Sequence, residues 1–397
     1  MILLGSLPAP LRLLLAIGLY LQLAGICFIP DGSRYATITN ITLFAPALVA
    51  LVVFRQNWPP FNKTAFGVLS ALCAWVAFVA VFNEGSVGTP WRWLRLILYV
   101  GLYVVAIGLV MQSETLWRGL LLAVLCTAGM FAWLSLFQAL FIDNRGFGFR
   151  DFRLDSWGGH TMADFQNPIV SALYFGVVAV IALCMSLREK GWLKVLSLFA
   201  FLGASAYCYF TYSRGVWVGL LAAIMVFLAV SLPARQFRLA LWGILPLALA
   251  GVFLLGKAGG IDASYRDEIF WQWWSKIDAF WLGGSGAGAD TNICIDKIQR
   301  CFNQAHSLYL QFFYEYGIPG LLLLVVLIAT LLLSGWRYRV RRSFAPLGLA
   351  LMVFAIVVSV ANYYVIFLRP GVFWIVFWLP TAILMCEGLK GGRPEVR

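Results

Sequence analysis

A succession of long apolar stretches constrains the fold of this chain more than any other feature. Most of them run for about 16 to 25 residues, the length at which an α-helix crosses a lipid bilayer. Of the 397 residues, 62% are hydrophobic and 12% are charged, whereas a soluble domain carries about 25% charged residues. A transmembrane β-barrel would show shorter segments of alternating polarity. The sequence therefore predicts an all-α, polytopic membrane protein.

About twelve transmembrane helices are predicted, and the whole chain, 1–397, is interpreted as a single integral membrane domain. The first stretch lacks a small-residue cleavage site before Asp31, so we interpret it as a retained helix rather than a signal peptide. The predicted spans are 10–29, 39–54, 64–82, 92–111, 117–141, 168–186, 193–209, 214–231, 238–255, 317–334, 345–365 and 371–386.

The distribution of Lys and Arg predicts the orientation of these spans, because cytoplasmic loops carry an excess of basic residues. With both termini in the cytoplasm, most basic residues fall in the short inside loops. The net charge of +12 is then explained by residues that flank helices at an anionic leaflet. Membrane lipids are therefore expected partners, and nucleic acid is not.

Two loops predicted on the outside, 143–167 and 257–316, are longer than a simple turn. Long loops in compact proteins tend to be functional. Within the larger loop, apolar residues recur at helical spacing over Tyr265–Trp281, which predicts a short helix in the membrane interface. The stretch "GGSGAGAD" that follows is expected to be a flexible connection. It lacks the Gly-Lys-Ser/Thr ending of a phosphate-binding P-loop.

Cys294 and Cys301 bracket "CIDKIQRC" in the same loop. In an oxidising periplasm they could form a disulfide. Two free thiols remain the alternative, because spacing alone does not fix the geometry of a disulfide. The outer loops show no His, Asp or Glu cluster at metal-ligand spacing, so neither a metal site nor a cofactor is expected.

Three residues that suit phosphate and proton chemistry fall on the predicted outer side: Arg214, Arg266 and His306. A guanidinium group binds two phosphate oxygens and stays charged in a low dielectric. An imidazole accepts a proton near neutral pH. Taken singly, such arginines more often contact lipid phosphate, and a loop histidine is more often a surface group. Together they indicate glycosyl transfer from a polyprenyl-pyrophosphate donor.

Four further residues are secondary candidates for binding phosphate or glycan. Arg300 lies shortly before His306 and could contact phosphate. Arg150 and Arg153 could bind acceptor or lipid phosphates, or could be solvated residues balanced by nearby aspartates. His160 could contact sugar.

Three segments in order resemble the signature segments of the O-antigen ligase and polymerase superfamily. They are "YSRGVWVGLLAAIMVFLAV", "YRDEIFWQWWSKIDAFWLGGSGAG" and "QAHSLYLQFFYEYGIPGLLLLVVLI". The matching residues are Ser213-Arg214-Gly215, Arg266 with Trp271, His306-Ser307, Glu315, Gly317 and Gly320. Ser307 stands where the family commonly has Asn. Outside these segments the resemblance is limited to a bundle of apolar spans.

This resemblance implies a GT-C-like, metal-independent, inverting glycosyltransferase in the bacterial inner membrane, with its active site facing the periplasm. The implied donor is O-antigen glycan on undecaprenyl pyrophosphate, and the implied acceptor is a sugar hydroxyl of the lipid A-core oligosaccharide. By the same resemblance, Arg214 and Arg266 would bind the pyrophosphate, and His306 would orient or deprotonate the acceptor.

Other functions remain open at this point. An O-antigen polymerase belongs to the same superfamily. A protein O-oligosaccharyltransferase is less favoured, because the chain shows no added soluble domain. A flippase or transporter of lipid-linked glycan would place charges near the bilayer midplane, whereas the charges here lie at the ends of spans.

Overall fold

The computed structural model describes residues 7–29, 31–54, 58–144, 167–237, 266–295, 300–341 and 343–386. The predicted span 238–255 and the candidates Arg150, Arg153 and His160 lie outside the described residues. The described helices are α1 Ala9–Ala24, α2 Gly32–Thr39, α3 Ala45–Val53, α4 Lys63–Phe82, α5 Pro90–Met111, α6 Glu114–Phe137, α7 Pro168–Arg188, α8 Gly191–Phe210, α9 Arg214–Ser231, α10 Arg266–Trp274, α11 Leu308–Tyr338, α12 Ala345–Val358 and α13 Val372–Met385.

Short irregular turns extend several of these helices. The π turn Asn40–Phe44 joins α2 to α3, and the π turn Gln138–Ile142 extends α6. The 3₁₀ turns are Gly25–Cys27 and Ile277–Ala279. Two short strands, β1 Ile293–Ile295 and β2 Arg300–Phe302, pair antiparallel within the largest loop. This hairpin is a small addition to an otherwise helical fold.

Nine helical segments among the described residues are long and apolar enough to cross a membrane, with α2 and α3 forming one of them. The apolar helices α12 and α13 are shorter. Each of these eleven segments overlaps a predicted span, so the all-α polytopic class is confirmed. Large side chains such as Phe82, Trp192 and Leu333 are exposed on the bundle surface. In a bilayer they face lipid tails that are as apolar as they are.

Two helices form the centre of the bundle. On α7 the side chains from Ser171 to Ala182 are all buried, and on α13 those from Trp374 to Met385 are all buried. A helix that is apolar on every side belongs in the interior. Helix α12 approaches α7 so closely that a Cβ at Gly176 would lie 2.3 Å from the Phe354 ring. A larger residue there would separate the two helices.

Loops predicted on the same side of the membrane contact each other, which separates the bundle into two ends. At the end that holds His306, Val87 N donates to Ala287 O at 2.9 Å. At the opposite end, Arg188 pairs with Glu114 at 2.9 Å. We call the first the site end and the second the far end. These contacts agree with the predicted alternation of inside and outside loops.

The predicted span 345–365 is too long, because α12 ends at Val358. Residues 359–371 continue without helix. Ser359 Oγ donates to Ala355 O at 2.5 Å, and Asn362 N donates to Val358 O at 2.9 Å. Ser359 N also donates to Ala355 O at 2.9 Å. These bonds pair carbonyl groups in the last turn of α12, beyond which the chain is not helical although the sequence stays largely apolar.

The predicted helix over Tyr265–Trp281 is also shorter than expected, since α10 ends at Trp274. Ile269, Trp273 and Phe280 are buried, as their helical spacing indicated. They pack against the hairpin and the first turns of α11. The apolar side of α10 is therefore covered by protein, whereas Trp271 and Trp274 are exposed. The position of α10 in the membrane interface stays a prediction.

Candidate functional site

His306 lies directly before α11 in a strained backbone conformation. Its φ is 53°, in the left-handed region that residues other than glycine rarely adopt. The ring is half-buried and lies 5.5 Å from the Phe302 ring, measured between centroids, in an edge-on arrangement. Such strain persists only where the surrounding structure enforces it, and it is common at functional sites.

The residues after His306 are bound to the turn that follows α12. Leu308 N donates to Ser359 O at 2.9 Å, and Ser307 Oγ lies 3.4 Å from the same oxygen. Both Ser307 and Leu308 are buried. We call residues 359–362 the site turn. Its carbonyl group fixes the start of α11, and with it the direction in which the His306 segment leaves the helix.

The start of α9 is bound to the same turn. Asn362 Nδ2 donates to Ser213 Oγ at 3.1 Å. A Cβ at Gly215 would lie 1.8 Å from Asn362 Oδ1, so a glycine is required for this approach. Arg214, between these two residues, is half-buried. The site turn thus holds both the Ser-Arg-Gly segment and the His-Ser segment, which lie far apart in the sequence.

The loop that carries Arg266 and Arg300 packs onto the same unit. Trp273 of α10 contacts the Phe313 ring of α11 with centroids 5.4 Å apart. Strand β2 runs from Arg300 to Phe302, the residue whose ring meets His306. The side chains of Arg266 and Arg300 lie outside the described part of the structure. Arg266 is the first residue of α10, and Arg300 is the first residue of β2, two residues before Phe302.

A disulfide joins the two strands of the hairpin. Cys294 and Cys301 are register partners in β1 and β2, and their sulfur atoms are 2.03 Å apart. The hairpin therefore carries a covalent cross-link within the loop that leads to His306.

Helix α11 is broken at Gly317, whose φ is 65°. A break leaves carbonyl groups without their helical partners. Here the freed carbonyls of Tyr314, Glu315 and Tyr316 accept hydrogen bonds from three donors outside the helix. The donors are Ser285 N at 2.7 Å, Gly286 N at 3.2 Å and Trp75 Nε1 at 2.9 Å.

The Gly-rich stretch after α10 is therefore a packed element, and the expectation of a flexible connection is wrong. Gly284 has a φ of 77°, and a Cβ there would lie 2.2 Å from Glu315 O. A Cβ at Gly317 would lie 2.3 Å from Leu282 O. The glycines on both sides allow the two backbone segments to come into contact.

A buried polar network connects this break to the histidine. Glu315 Oε1 accepts from Gln311 Nε2 at 2.9 Å, and Glu315 Oε2 accepts from Gly288 N at 3.0 Å. Gln311 Oε1 accepts from Ala305 N at 3.0 Å. Glu315 and Gln311 are 6% and 3% exposed. The network therefore ends on the residue that precedes His306.

Sequence reasoning missed Gln311, Ser359 and Asn362. Gln311 lies four residues before Glu315, a spacing that places both on one face of a helix. Asn362 is a polar residue within a stretch interpreted as a membrane span. Both signals were present in the sequence, although neither identifies the partner of the residue.

An open cavity of about 150 Å³ adjoins the site turn. Its lining includes Tyr35, Arg369 and Phe373. The Phe373 ring stacks on Tyr363, which follows the site turn, with centroids 5.5 Å apart. The exposed Arg369 adds a cationic side chain to the site end.

The arrangement combines a cationic residue and an imidazole at one end of a membrane bundle. Among the described residues, no group of three or more His, Cys, Asp or Glu side chains could hold a metal ion. Guanidinium groups stabilise phosphate charge directly, and an imidazole accepts a proton from a hydroxyl group. The fold and site thus define a polytopic membrane protein with a site suited to phosphate-bearing substrates.

Comparison with known proteins identifies a family that this chain resembles. Residues 198–325 match the family model described as O-Antigen ligase, and this range contains Arg214, Arg266, His306 and Glu315. The chain is also 25% identical over 388 residues to the O-antigen ligase of Pseudomonas aeruginosa, which covers 94% of this chain and 90% of that protein. The chain is thus similar to the O-antigen ligase superfamily, and the family-model match contains the matching residues of the three segments whose resemblance the sequence indicated.

Proposed function

We propose that this protein transfers O-antigen polysaccharide from undecaprenyl pyrophosphate to the lipid A-core oligosaccharide. The observation that carries the proposal is the site turn, which binds both the segment of Arg214 and the segment of His306. The match of residues 198–325 to the O-antigen ligase family model and the name of the Pseudomonas aeruginosa relative support it. The reaction takes place at the periplasmic face of the bacterial inner membrane, with both termini of the chain in the cytoplasm.

The donor binds through its pyrophosphate. Arg214 and Arg266 contact the phosphate oxygens and stabilise the negative charge that develops as the bond to the sugar breaks. A pyrophosphate leaving group needs charge stabilisation more than protonation, and fixed guanidinium groups provide it without a metal ion. Arg300, Arg150 and Arg153 are secondary phosphate contacts, and His160 is a secondary glycan contact.

His306 activates the hydroxyl group of the acceptor. The imidazole accepts the proton of a core-sugar hydroxyl while that oxygen attacks the anomeric carbon of the donor glycan. The bond between the anomeric carbon and the pyrophosphate oxygen breaks, the configuration inverts, and undecaprenyl pyrophosphate leaves as the anion. Residues 1–397 act as one GT-C-like membrane domain, with 257–316 as its large periplasmic loop.

The test compares the O-antigen ladder of lipopolysaccharide from a deletion strain that is complemented with plasmid-borne variants. His306→Ala should give core without the O-antigen ladder, together with accumulated undecaprenyl-linked polymer. Arg92→Ala is the control, because Arg92 is an exposed arginine at the site end whose guanidinium group lies over Trp93 of its own helix. It should restore the ladder.

Two other outcomes would contradict the proposal or the role of His306 in it. A deletion strain that attaches one repeat to the core would identify a polymerase and overturn the proposal. A normal ladder with His306→Ala would show that the imidazole takes no part in transfer.

A further inference from the structure

We propose that Glu315, acting through Gln311, is a positioning residue that holds the His306 backbone in its left-handed conformation. This inference rests on the proposed function, since it assigns His306 the reacting group. Glu315 itself touches neither His306 nor, in this proposal, the substrates. Its role is to orient one amide side chain.

The conformation of His306 needs support from both sides. A side chain with a Cβ is disfavoured at a φ of 53°, so the segment would relax if its neighbours were free. On the C-terminal side, Leu308 N is bound to Ser359 O. On the N-terminal side, Ala305 N is bound to Gln311 Oε1 at 3.0 Å. His306 therefore lies between two fixed amide groups.

The hydrogen bond to Ala305 requires a particular orientation of the Gln311 amide. Its nitrogen donates to Glu315 Oε1 at 2.9 Å and lies 3.3 Å from Ala289 O. Both partners are acceptors. A flipped amide would place its oxygen against these acceptors and its nitrogen against the Ala305 N–H. Glu315 thus decides that the oxygen of Gln311 faces the His306 segment.

Glu315 is fixed in turn by the Gly-rich loop. Gly288 N donates to its second carboxylate oxygen at 3.0 Å, and the side chain is 6% exposed. Burying a carboxylate is costly unless hydrogen bonds compensate. Gln311 Nε2 and Gly288 N each donate to one oxygen of the Glu315 carboxylate. These two hydrogen bonds connect the Gly-rich loop, Glu315 and the Gln311 amide in one network.

Glu315→Gln tests the orientation with almost no change in size. The amide nitrogen of the new side chain must face either Gln311 Nε2 or Gly288 N, and both of these are donors. In either orientation one hydrogen bond is lost and two donors face each other, so the network that fixes the Gln311 amide is weakened. Glu114→Gln is the matched control, because Glu114 lies at the far end with its side chain 48% exposed.

Histidine NMR reports the effect directly, because the chain contains only two histidines. The protein would be labelled at histidine, purified through a histidine-free tag and embedded in nanodiscs. The His306 signal is assigned as the one that disappears in His306→Gln. In Glu315→Gln this signal should shift or split, whereas in Glu114→Gln it should match the wild type.

Kinetics and stability separate positioning from general damage to the fold. Glu315→Gln should lower kcat by about tenfold to a hundredfold, the cost of a misplaced reacting group, with little change in the KM for donor. Its melting temperature should fall only by the amount that one lost buried hydrogen bond explains, and the Cys294–Cys301 disulfide should still form.

Two results would overturn the inference. One is an unchanged His306 signal in Glu315→Gln. The other is a loss of melting temperature that accompanies equal losses of kcat and donor affinity. A wild-type transfer rate in His306→Gln would instead refute the proposed function, and the NMR comparison would still report whether Glu315 orients the ring.

Discussion

Gly215 has no Cβ atom, and this allows α9 to approach the site turn closely. A Cβ at this position would overlap Asn362 Oδ1, at 1.8 Å, and the Asn362 amide is the group that binds Ser213. The glycine of the Ser-Arg-Gly segment therefore serves the contact between α9 and the site turn. Arg214 lies between the two residues that make this contact, so its position depends on them.

Gly215→Ala should displace the Asn362 side chain and reduce transfer activity by about tenfold or more, because small misplacements of binding groups are costly. The measurement is the rate of glycan transfer by the purified protein. Gly101→Ala is the control, since no atom outside its helix lies within 4 Å of a Cβ there. Equal activity of the two variants would contradict the role given to Gly215.

Arg214→Ala should lower kcat by about 10²- to 10³-fold, the usual cost of removing one group that stabilises developing charge. Arg214→Lys should recover part of the loss, because lysine keeps the charge and loses the two-pronged contact. Transfer rates at saturating donor measure both variants. Full activity in Arg214→Ala would remove this residue from the mechanism.

At the scale of elements, the broken helix α11 and the Gly-rich loop form one structure. The break frees three carbonyl groups, and the loop and Trp75 supply the donors that satisfy them. Each such bond contributes about 1 kcal/mol, and an unsatisfied buried group costs more. The glycines of the Gly-rich loop and Gly317 of α11 are therefore needed for the same contact between the two segments.

Gly284→Ala should destabilise the protein, because a left-handed residue with a Cβ costs about 1–2 kcal/mol and this Cβ would also meet Glu315 O. Gly283→Ala is the neighbouring control, since nothing lies within 4 Å of its Cβ. Thermal unfolding in detergent should show a lower melting temperature for Gly284→Ala alone. Similar melting temperatures for Gly284→Ala and Gly283→Ala would mean that the loop accommodates a Cβ at position 284 without loss of stability.

At the scale of the whole molecule, ion pairs join the loops of the far end. Arg118 donates two hydrogen bonds to Glu189, whose side chain is 4% exposed. These hydrogen bonds and the positive charge of Arg118 lower the pKa of Glu189. The charged carboxylate is favoured in the folded state, so it adds stability above its ordinary pKa. That contribution is lost as the pH falls through the lowered value.

Between pH 7 and about 2, Glu189→Gln should therefore be less stable than the wild type near neutral pH, and the difference should shrink only below the ordinary glutamate pKa of about 4.3, as the pH falls toward the lowered value. Melting temperatures of the two proteins across this range provide the measurement. A difference that stays constant with pH would show that the charge of Glu189 contributes nothing to folding.

The helices of the bundle could be predicted because membrane spans are set by apolar length and by charged residues at their ends. The confirmed spans follow from these two rules. The same rules overestimated the helix after Ala345, because the sequence stays largely apolar beyond Val358, where α12 ends. Hydropathy alone does not indicate where α12 stops.

The candidate site could be predicted only in part. Arg214 and His306 are visible as a cation and an imidazole at the ends of spans, in segments that resemble a family. The contact of Asn362 with Ser213 joins residues 149 positions apart, and it exists only once α9 and α12 are packed. The conformation of the Gly-rich loop likewise depends on the break in α11, so composition alone indicated flexibility.

The most direct test of this account is the rate of glycan transfer by the purified protein in nanodiscs, with undecaprenyl-pyrophosphate-linked glycan and lipid A-core as the only substrates. The account predicts that His306→Ala binds the donor as the wild type does and transfers glycan about 10²- to 10⁴-fold more slowly, the usual contribution of a general base. Transfer by His306→Ala at the wild-type rate would contradict it.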